Sequence, residues 1–392
     1  MSRMNQWNQK SPLRAVVVGC NMGRNQAFAL AASEEYELAA VCDLNEETAK
    51  KAAADCGALR EGKGAAGSSI GVDVGVDVYT DYAAMLAAVQ PDVVVIATPN
   101  VTHAPFAQLA VDAGVRGIYC EKPMATNLGD ARKMVDMCRE HGVVLVVGHQ
   151  RRMSAVYGKM RELIDAGTIG DVRHIRASCA GDLLSDGSHL ADSMLYLLHH
   201  REVRWALGQI CRKEPVSPEE AAANPFAYTG RRYGHAVESG ALAMYEFDGG
   251  VRGELHCGDM QARGGGYQDI EIVGTAGSIW RRGDGSQPPL LLSDPSAAGG
   301  WHAVEVEEER SEDVFAGVFG AMADSIRQGA PHPMDGTIAL RGLEMLIAVF
   351  ESSRLRAKIE FPVMQETFPL DLIIAAEQAA ASASAGEEGG VR

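Results

Sequence analysis

The sequence predicts an α/β protein. A doubly wound parallel sheet is expected over residues 13–150. A second domain with an open, mostly antiparallel sheet is expected over 151–375, and a flexible tail over 376–392. Three observations predict this. The first 150 residues alternate short apolar runs with helical segments, the pattern of repeated β-α units. Polar clusters fall at the carboxyl ends of those runs, where such sheets collect ligands. Beyond residue 150, alternating strands joined by a hairpin signal take over, with helices set apart.

In chain order, Ala15-Val16-Val17-Val18 is a β-branched run suited to a buried parallel strand. Gly19-Cys20-Asn21-Met22-Gly23 follows as a tight turn, and Arg24–Ser33 has helical composition. Leu38–Cys42 is the next strand, with Asp43 at its end. Such a turn leaves backbone N–H groups free at a helix N-terminus, where the helix dipole favours a pyrophosphate. An acidic side chain about 20 residues downstream can accept from both hydroxyls of an adenosine ribose. Asp43 stands near that distance and would repel a 2′-phosphate, which favours NAD over NADP. Asn21 replaces the middle glycine of the G-x-G-x-x-G pattern, and the spacing is one residue shorter. Asparagine tolerates left-handed backbone, so the turn survives. The alternative is an ordinary α/β turn without a ligand.

The alternation continues with a helix over Glu46–Cys56 and a Gly-, Ala- and Ser-rich loop over Gly57–Gly75. Tyr82–Val89 is a helix, and Val93–Ala97 a strand ending in Thr98-Pro99-Asn100. His103–Ala113 is a helix, and Val115–Cys120 a strand ending in Glu121-Lys122-Pro123. Leu128–His141 is a helix capped by Thr126 or Asn127, and Val143–Val147 a strand ending in Gly148-His149-Gln150-Arg151-Arg152. In the second part, Met153–Ala166 is a helix stopped by Gly167, Val172–Ser178 alternates as a strand, and Ser188–Leu198 is helical. Ala241–Phe247 and Val251–Cys257 form a hairpin through Asp248-Gly249-Gly250. Asp269–Val273 and Ser278–Trp280 flank a Gly-Thr-Ala-Gly turn, Phe315–Gln328 and Ile338–Ser353 are helices, and Ile359–Pro362 is a last strand. A sheet face left uncovered by helices is a candidate subunit contact.

Composition is that of a globular protein, with 46% apolar and 22% charged residues. The net charge of −16 argues against nonspecific binding to nucleic acid or anionic lipid. No apolar run approaches the roughly 20 residues that cross a bilayer. The polar stretch Met1–Lys10 has no signal-peptide character. The eight cysteines are scattered, without a C-x-x-C pair or zinc spacing, as expected of reduced, buried thiols in a cytoplasmic protein. His199-His200 and His256 have no acidic neighbours at metal-ligand spacing, so no metal is expected.

Glu121-Lys122-Pro123 is the most informative tripeptide. A lysine at the carboxyl end of a parallel strand can hydrogen-bond a substrate hydroxyl and help take its proton. Pro123 fixes the backbone there, with a cis bond as one option. Taken alone, the lysine could equally sit on the surface of a strand-to-helix turn. It does not stand alone. In order come Val18-Gly19-Cys20-Asn21-Met22-Gly23, Ala97-Thr98-Pro99-Asn100-x-x-His103, Glu121-Lys122-Pro123, Asp186-Gly187-Ser188-His189-x-x-Asp192 and His332-Pro333.

Together these resemble the glucose–fructose oxidoreductase / inositol dehydrogenase / MocA family, from about residue 13 to 363. The resemblance implies an N-terminal Rossmann domain and a C-terminal open-sheet domain that forms homodimers or homotetramers. It also implies a tightly held nicotinamide cofactor and substrates that are mostly sugars or cyclic polyols. By position, Lys122 is implied as the proton-handling lysine and His189 as the histidine on the opposite wall of the substrate pocket. Gly19, Asn21, Met22, Gly23 and Asp43 would hold the adenosine and pyrophosphate. Thr98, Pro99, Asn100, His103, Glu121 and Lys122 would line the nicotinamide side, and Gln150, Arg151 and Arg152 would face substrate. Many members carry aspartate four residues before the helix histidine. Here that position is Ser185, and Asp186 follows it as the candidate third catalytic group.

The reading is an NAD-dependent dehydrogenase that oxidises a ring hydroxyl of a sugar, glycoside or cyclic polyol. One alternative is a redox-neutral glycosidase. Oxidation at carbon 3 acidifies the proton on carbon 2, the aglycone leaves, water adds, and the retained NADH reduces the ketone. Arg151, Arg152 and the cluster Arg231-Arg232-Tyr233-Gly234-His235 could clamp an anionic glycoside such as a sulfoquinovoside, or be solvated or salt-bridged arginines. A third reading is a non-catalytic NAD(H)-binding sugar sensor.

Overall fold

The structure, a computed structural model, describes residues 11–62, 75–224, 227–261, 266–295 and 300–388. The polar stretch Met1–Lys10 and most of the expected loop Gly57–Gly75 lie outside the described residues. The chain divides into two compact units. The first comprises Met1–Met124, Lys133–Ser154 and Glu309–Thr337, and the second Ala125–Arg132, Ala155–Glu308 and Ile338–Arg392.

The first unit is built on six parallel strands. They are β1 (Leu13–Val18), β2 (Tyr36–Cys42), β3 (Asp77–Tyr79), β4 (Val93–Ile96), β5 (Gly117–Cys120) and β6 (Val144–Val147), in the order β3-β2-β1-β4-β5-β6. The order reverses between β1 and β4, the switch point at which doubly wound sheets bind ligands. β1, β4 and β6 are buried along most of their length on both faces, which is why they read as near-continuous Val/Ile/Leu runs. Helices α1 (Arg24–Ala32), α2 (Glu46–Gly62), α3 (Tyr82–Val89), α4 (His103–Asp112) and α5 (Leu128–His141) follow the first, second, third, fourth and fifth strands. Helix α2 continues to Gly62, past the Cys56 end that the sequence suggests.

The unit also takes in a helix from far along the chain, Ser311–Gln328. Its Phe315, Val318, Phe319 and Met322 join Leu13, Val17 and Tyr36 in one buried cluster. Tyr36 donates its hydroxyl to the Phe319 carbonyl at 2.8 Å. A Cβ at Gly117 would lie 2.7 Å from Met322 Cε, so the glycine allows this close packing. The sequence reading left this helix in the second domain.

The second unit is built on a nine-stranded sheet. Its central strands are β7 (Val172–Cys179), β8 (Val203–Cys211), Gly240–Phe247 and Val251–Gly258. Val251–Gly258 pairs in parallel with β7, and all other neighbours are antiparallel. The expected hairpin forms as read, with Gly249 and Gly250 at φ of +79° and +74° in the turn. On one face Leu207, Leu242 and Met244 remain exposed. The other face is covered in part by helix α7 (Gly187–Leu197), which follows α6 (Ala155–Asp165) and is almost wholly buried. The stretch expected as a tail, 376–392, is helical to Glu388, within a helix that begins at Pro369. Its alanine content favours helix over coil. Among the described residues no helix is long and apolar enough to cross a membrane.

Candidate active site

The carboxyl edge of the first unit carries most of the motifs. Gly19 ends β1 with φ +91°, and a Cβ there would collide with the Ala97 carbonyl at the end of β4. At Gly23 a Cβ would lie 2.5 Å from the Gly19 carbonyl and 2.7 Å from Val17 Cγ1. Both glycines are therefore dictated by close backbone approach. Helix α1 begins with no side-chain cap and no acidic residue in its first turn. Its N-terminal amides are left for a ligand, and the helix dipole makes that ligand an anion. Asn21 and Met22 are exposed on the turn. Asp43 Oδ2 accepts from the Cys20 amide at 2.9 Å and Oδ1 from the Asn45 amide at 3.0 Å. These bonds hold the carboxylate against the glycine turn, with lone pairs remaining for ribose hydroxyls.

Thr98 is half-buried, Pro99 exposed and Asn100 buried. The Thr98 and Thr102 hydroxyls lie 2.6 Å apart, and Thr102 donates to the Pro99 carbonyl at 2.6 Å. Thr102 has one hydroxyl proton, so Thr98 is the donor between them. His103, expected beside the ribose, is wholly buried. Its ring nitrogens lie 2.8 Å from Pro123 O and Thr98 O, bracing the ends of β4 and β5. Burial lowers its pKa; the two carbonyls oppose this and the Lys122 charge adds to it. Glu121 is a brace as well. Oε1 accepts from Gln26 at 2.5 Å and from the Tyr119 hydroxyl at 3.1 Å, and Oε2 accepts from the Lys122 amide at 3.2 Å. Burial raises its pKa against the Lys122 charge and these bonds. His103 and Glu121 thus brace the backbone at the ends of β4 and β5. Lys122 between them is half-buried, and its bond to Pro123 is cis.

Beyond β6, Gln150 and Arg151 are half-buried. Arg152 is buried and donates from Nη1 to the Pro333 carbonyl at 3.0 Å. It ties this end of the sheet to the distant segment. His332 accepts the Met334 amide on Nδ1 at 2.9 Å, and its Nε2 faces Val318 O at 3.2 Å. The His332-Pro333 motif is structural.

In the second unit, His189 sits in the first turn of α7, 6% exposed. Asp186 precedes the helix but does not cap it. Its Oδ1 accepts from the Tyr267 hydroxyl at 2.7 Å and its Oδ2 from Arg232 Nη1 at 2.8 Å. Arg232 also donates to Asp182 Oδ2 at 3.0 Å. Burial lowers the Arg232 pKa, but Asp186 and Asp182 more than reverse this and keep it charged. Arg231 donates to the Gly234 carbonyl at 2.8 Å. The cluster expected to clamp an anion is therefore spent on the chain's own carboxylates and backbone.

Asp186 and Arg232 line a cavity of about 900 Å³ with Tyr233, Tyr267 and Glu238. Sequence reasoning missed Tyr267, Asp182 and Glu238. A carboxylate inside Ala236-Val237-Glu238, at the edge of an apolar run, was the available signal. Among the described residues no group of three or more His, Cys, Asp or Glu is arranged for a metal.

Residues 13–149 match the model of an oxidoreductase family with an NAD-binding Rossmann fold, and residues 157–280 match the GFO/IDH/MocA C-terminal domain. The chain is 26% identical over 311 residues to inositol 2-dehydrogenase 3 of Saccharopolyspora erythraea, covering 77% of this chain and 82% of that one. It is 28% identical over 379 residues to the dTDP-3,4-didehydro-2,6-dideoxy-alpha-D-glucose 3-reductase of Streptomyces violaceoruber, covering 88% and 96%. The WlbA dehydrogenase of Bordetella pertussis, solved with NADH and UDP-GlcNAcA, superposes with a TM-score of 0.67 at 22% identity, covering 90% of this chain and 99% of that one. That likeness speaks for the fold.

Proposed function

Because the chain belongs to the glucose–fructose oxidoreductase, inositol dehydrogenase and MocA family of NAD-binding oxidoreductases, we propose that it oxidises a ring hydroxyl of a sugar, glycoside or cyclic polyol. One observation carries the reading. A glycine turn, an uncapped helix N-terminus and Asp43 gather at the same sheet edge as a half-buried lysine locked between Glu121 and Pro123. When bound, the nicotinamide supplies the hydride acceptor. Lys122 holds the reacting hydroxyl and takes part in removing its proton. For His189, in the second unit, the proposed role is a contact to a sugar hydroxyl. Asp186 enters as a positioning group rather than a proton carrier, because Arg232 and Tyr267 engage both of its oxygens.

Asp43 supports NAD over NADP. Asp43→Ala removes the acceptor of two backbone amides along with the ribose contact. It is expected to weaken NADH binding about 10- to 100-fold and to narrow the margin over NADPH, in line with the worth of charge-assisted hydrogen bonds. Fluorescence titration of each nucleotide checks this, and an unchanged NADH-to-NADPH ratio would count against the role.

The assay that tests the oxidation also separates its rivals. The protein is incubated with a chromogenic glycoside and excess NAD⁺, and NADH and aglycone are followed together. NADH accumulating with sugar consumed, and aglycone retained, is the expected result. Aglycone release without net NADH would establish the redox-neutral glycosidase instead, and binding without turnover would favour the sensor. The anionic-glycoside variant loses support, since Arg232 is already paired twice. The exposed Leu207, Leu242 and Met244 face is where we place self-association.

A further inference from the structure

One buried polar side chain in the first unit has a place that packing alone does not explain. Gln26 is the third residue of α1 and is 2% exposed. Its amide nitrogen donates to Glu121 Oε1 at 2.5 Å, across 95 residues of chain. An ionised carboxylate only accepts, so the amide turns its NH₂ to Glu121. Gln26 Oε1 is thereby left buried, with no hydrogen-bond partner among the described residues. A leucine of similar size would avoid that cost. What the glutamine supplies is the bond to Glu121.

Three donors meet this carboxylate, and two belong to its own strand end: the Tyr119 hydroxyl at 3.1 Å and the Lys122 amide at 3.2 Å. Gln26 gives the shortest of the three bonds and comes from another element. It joins the first turn of α1, whose uncapped N-terminus is proposed to take the pyrophosphate, to the end of β5 that carries Lys122. Gly148, after β6, leaves room for the cluster. A Cβ there would lie 2.8 Å from the Tyr119 hydroxyl and 3.0 Å from Glu121 Oε2.

We propose that Gln26 is a positioning residue for Lys122: its amide fixes the Glu121 carboxylate, and the carboxylate fixes the Lys122 backbone. The inference rests on the proposed part of Lys122 in sugar oxidation and adds the residue that sets the lysine from α1.

The electrostatics agree with the geometry. Burial is the largest influence on the Glu121 carboxyl and raises its pKa, while the Lys122 charge, the Lys122 amide, the Tyr119 hydroxyl and the Gln26 amide all lower it. The Tyr119 hydroxyl and the Cys120 thiol are themselves raised, burial being the first cause for each, and stay neutral. On α1, Arg24 is exposed and pairs with Asp55 at 3.4 Å. Removing the Gln26 donor therefore loosens the carboxylate twice. One bond is lost, and protonation, which weakens the others, becomes easier.

The first part of the test needs no turnover. The ligand-free protein is acylated with an N-hydroxysuccinimide ester, and labelling of each lysine is followed by peptide mass spectrometry. In Gln26→Leu, Lys122 is expected to label at least about threefold faster than in wild type, relative to the exposed Lys50 and Lys358. Gln26→His keeps an N–H donor of similar reach and should restore the wild-type rate. Lys122 labelling unchanged in Gln26→Leu, or raised equally in both variants, would overturn the proposal. The second part measures NAD⁺ reduction with myo-inositol and methyl glucosides, beside NADH titration. Gln26→Leu should lower kcat about 10- to 100-fold, with sugar KM and NADH Kd changed by less than about threefold. Gln26→His should recover most of that loss. A KM or Kd that changes as much as kcat would make Gln26 a binding or folding residue and overturn the proposal. Should Gln26→Leu fail to fold, Gln26→Asn, whose amide is one methylene short of Glu121, takes its place in both parts. If NADH binds but no sugar reduces NAD⁺, the proposed oxidation fails, and the labelling still decides the role of Gln26.

Discussion

Replacing Lys122 with alanine is expected to lower kcat for sugar oxidation by a factor of about 10²–10⁴, the usual worth of a positioned proton-transfer group. NADH affinity should change by less than about tenfold, since the residues proposed to hold the pyrophosphate and adenosine are others on the sheet edge. The size of the effect follows from how firmly the lysine is set. Glu121 on one side is pinned by Gln26, Tyr119 and the Lys122 amide, and Pro123 on the other is braced through its carbonyl by His103. Such backing holds a reacting group in place, and misplacement alone costs heavily. Lys122→Arg should not restore the rate. A guanidinium keeps its proton at any working pH and has a different hydrogen-bond geometry. Steady-state rates beside nucleotide titration decide the matter. A kcat within tenfold of wild type would move the proton chemistry to another residue.

The second large effect is expected at the glycine turn. Gly19→Ala should raise the Kd for NADH at least about 100-fold, or about 2.7 kcal/mol, and lower the melting temperature. Two costs combine. The residue sits at φ +91°, and left-handed backbone alone costs a Cβ-bearing residue about 1–2 kcal/mol. The new methyl would also collide with the Ala97 carbonyl and lie 2.9 Å from the Thr98 amide nitrogen. Relief requires the ends of β1 and β4 to part at the switch point, which moves the amides that would hold the pyrophosphate. Gly57 is a fitting control, because it lies within α2 and a Cβ there meets nothing within 4 Å. Gly57→Ala should leave nucleotide binding unchanged and add about 0.5–1 kcal/mol of stability through helix propensity. A Gly19→Ala protein that binds NADH as wild type does would remove the turn from the cofactor site.

These residues were legible because local sequence determines them. Buried parallel strands need short apolar runs, so Val16-Val17-Val18 and Val93–Ile96 stand out, as do helices such as Leu128–His141 whose ends carry caps. What local sequence does not encode is partnership across long separations. Ser311–Gln328 reads as a helix, but only the fold shows that Phe319 packs on Tyr36 and Tyr119. Strand β8 was missed because its alternation places Leu207 on the open face, so the polar half of the pattern is blurred.

The site divides in the same way. Motif order proposes Lys122, His189 and Asp43, whereas the direction of a side chain depends on its neighbours. Asp186 turns to Tyr267, 81 residues away, and to Arg232. His103 and Glu121 lie in motifs that suggest ligand contact, yet their polar atoms meet backbone and buried side chains.

The account rests on the first unit holding NAD(H) through the glycine turn and Asp43. Titration of the purified protein with NADH and NADPH, followed by nucleotide fluorescence, tests this most directly. Saturable NADH binding at least about tenfold tighter than NADPH is the predicted result, given the repulsion Asp43 exerts on a 2′-phosphate. No saturable binding of either nucleotide, or NADPH bound as tightly as NADH, would contradict it.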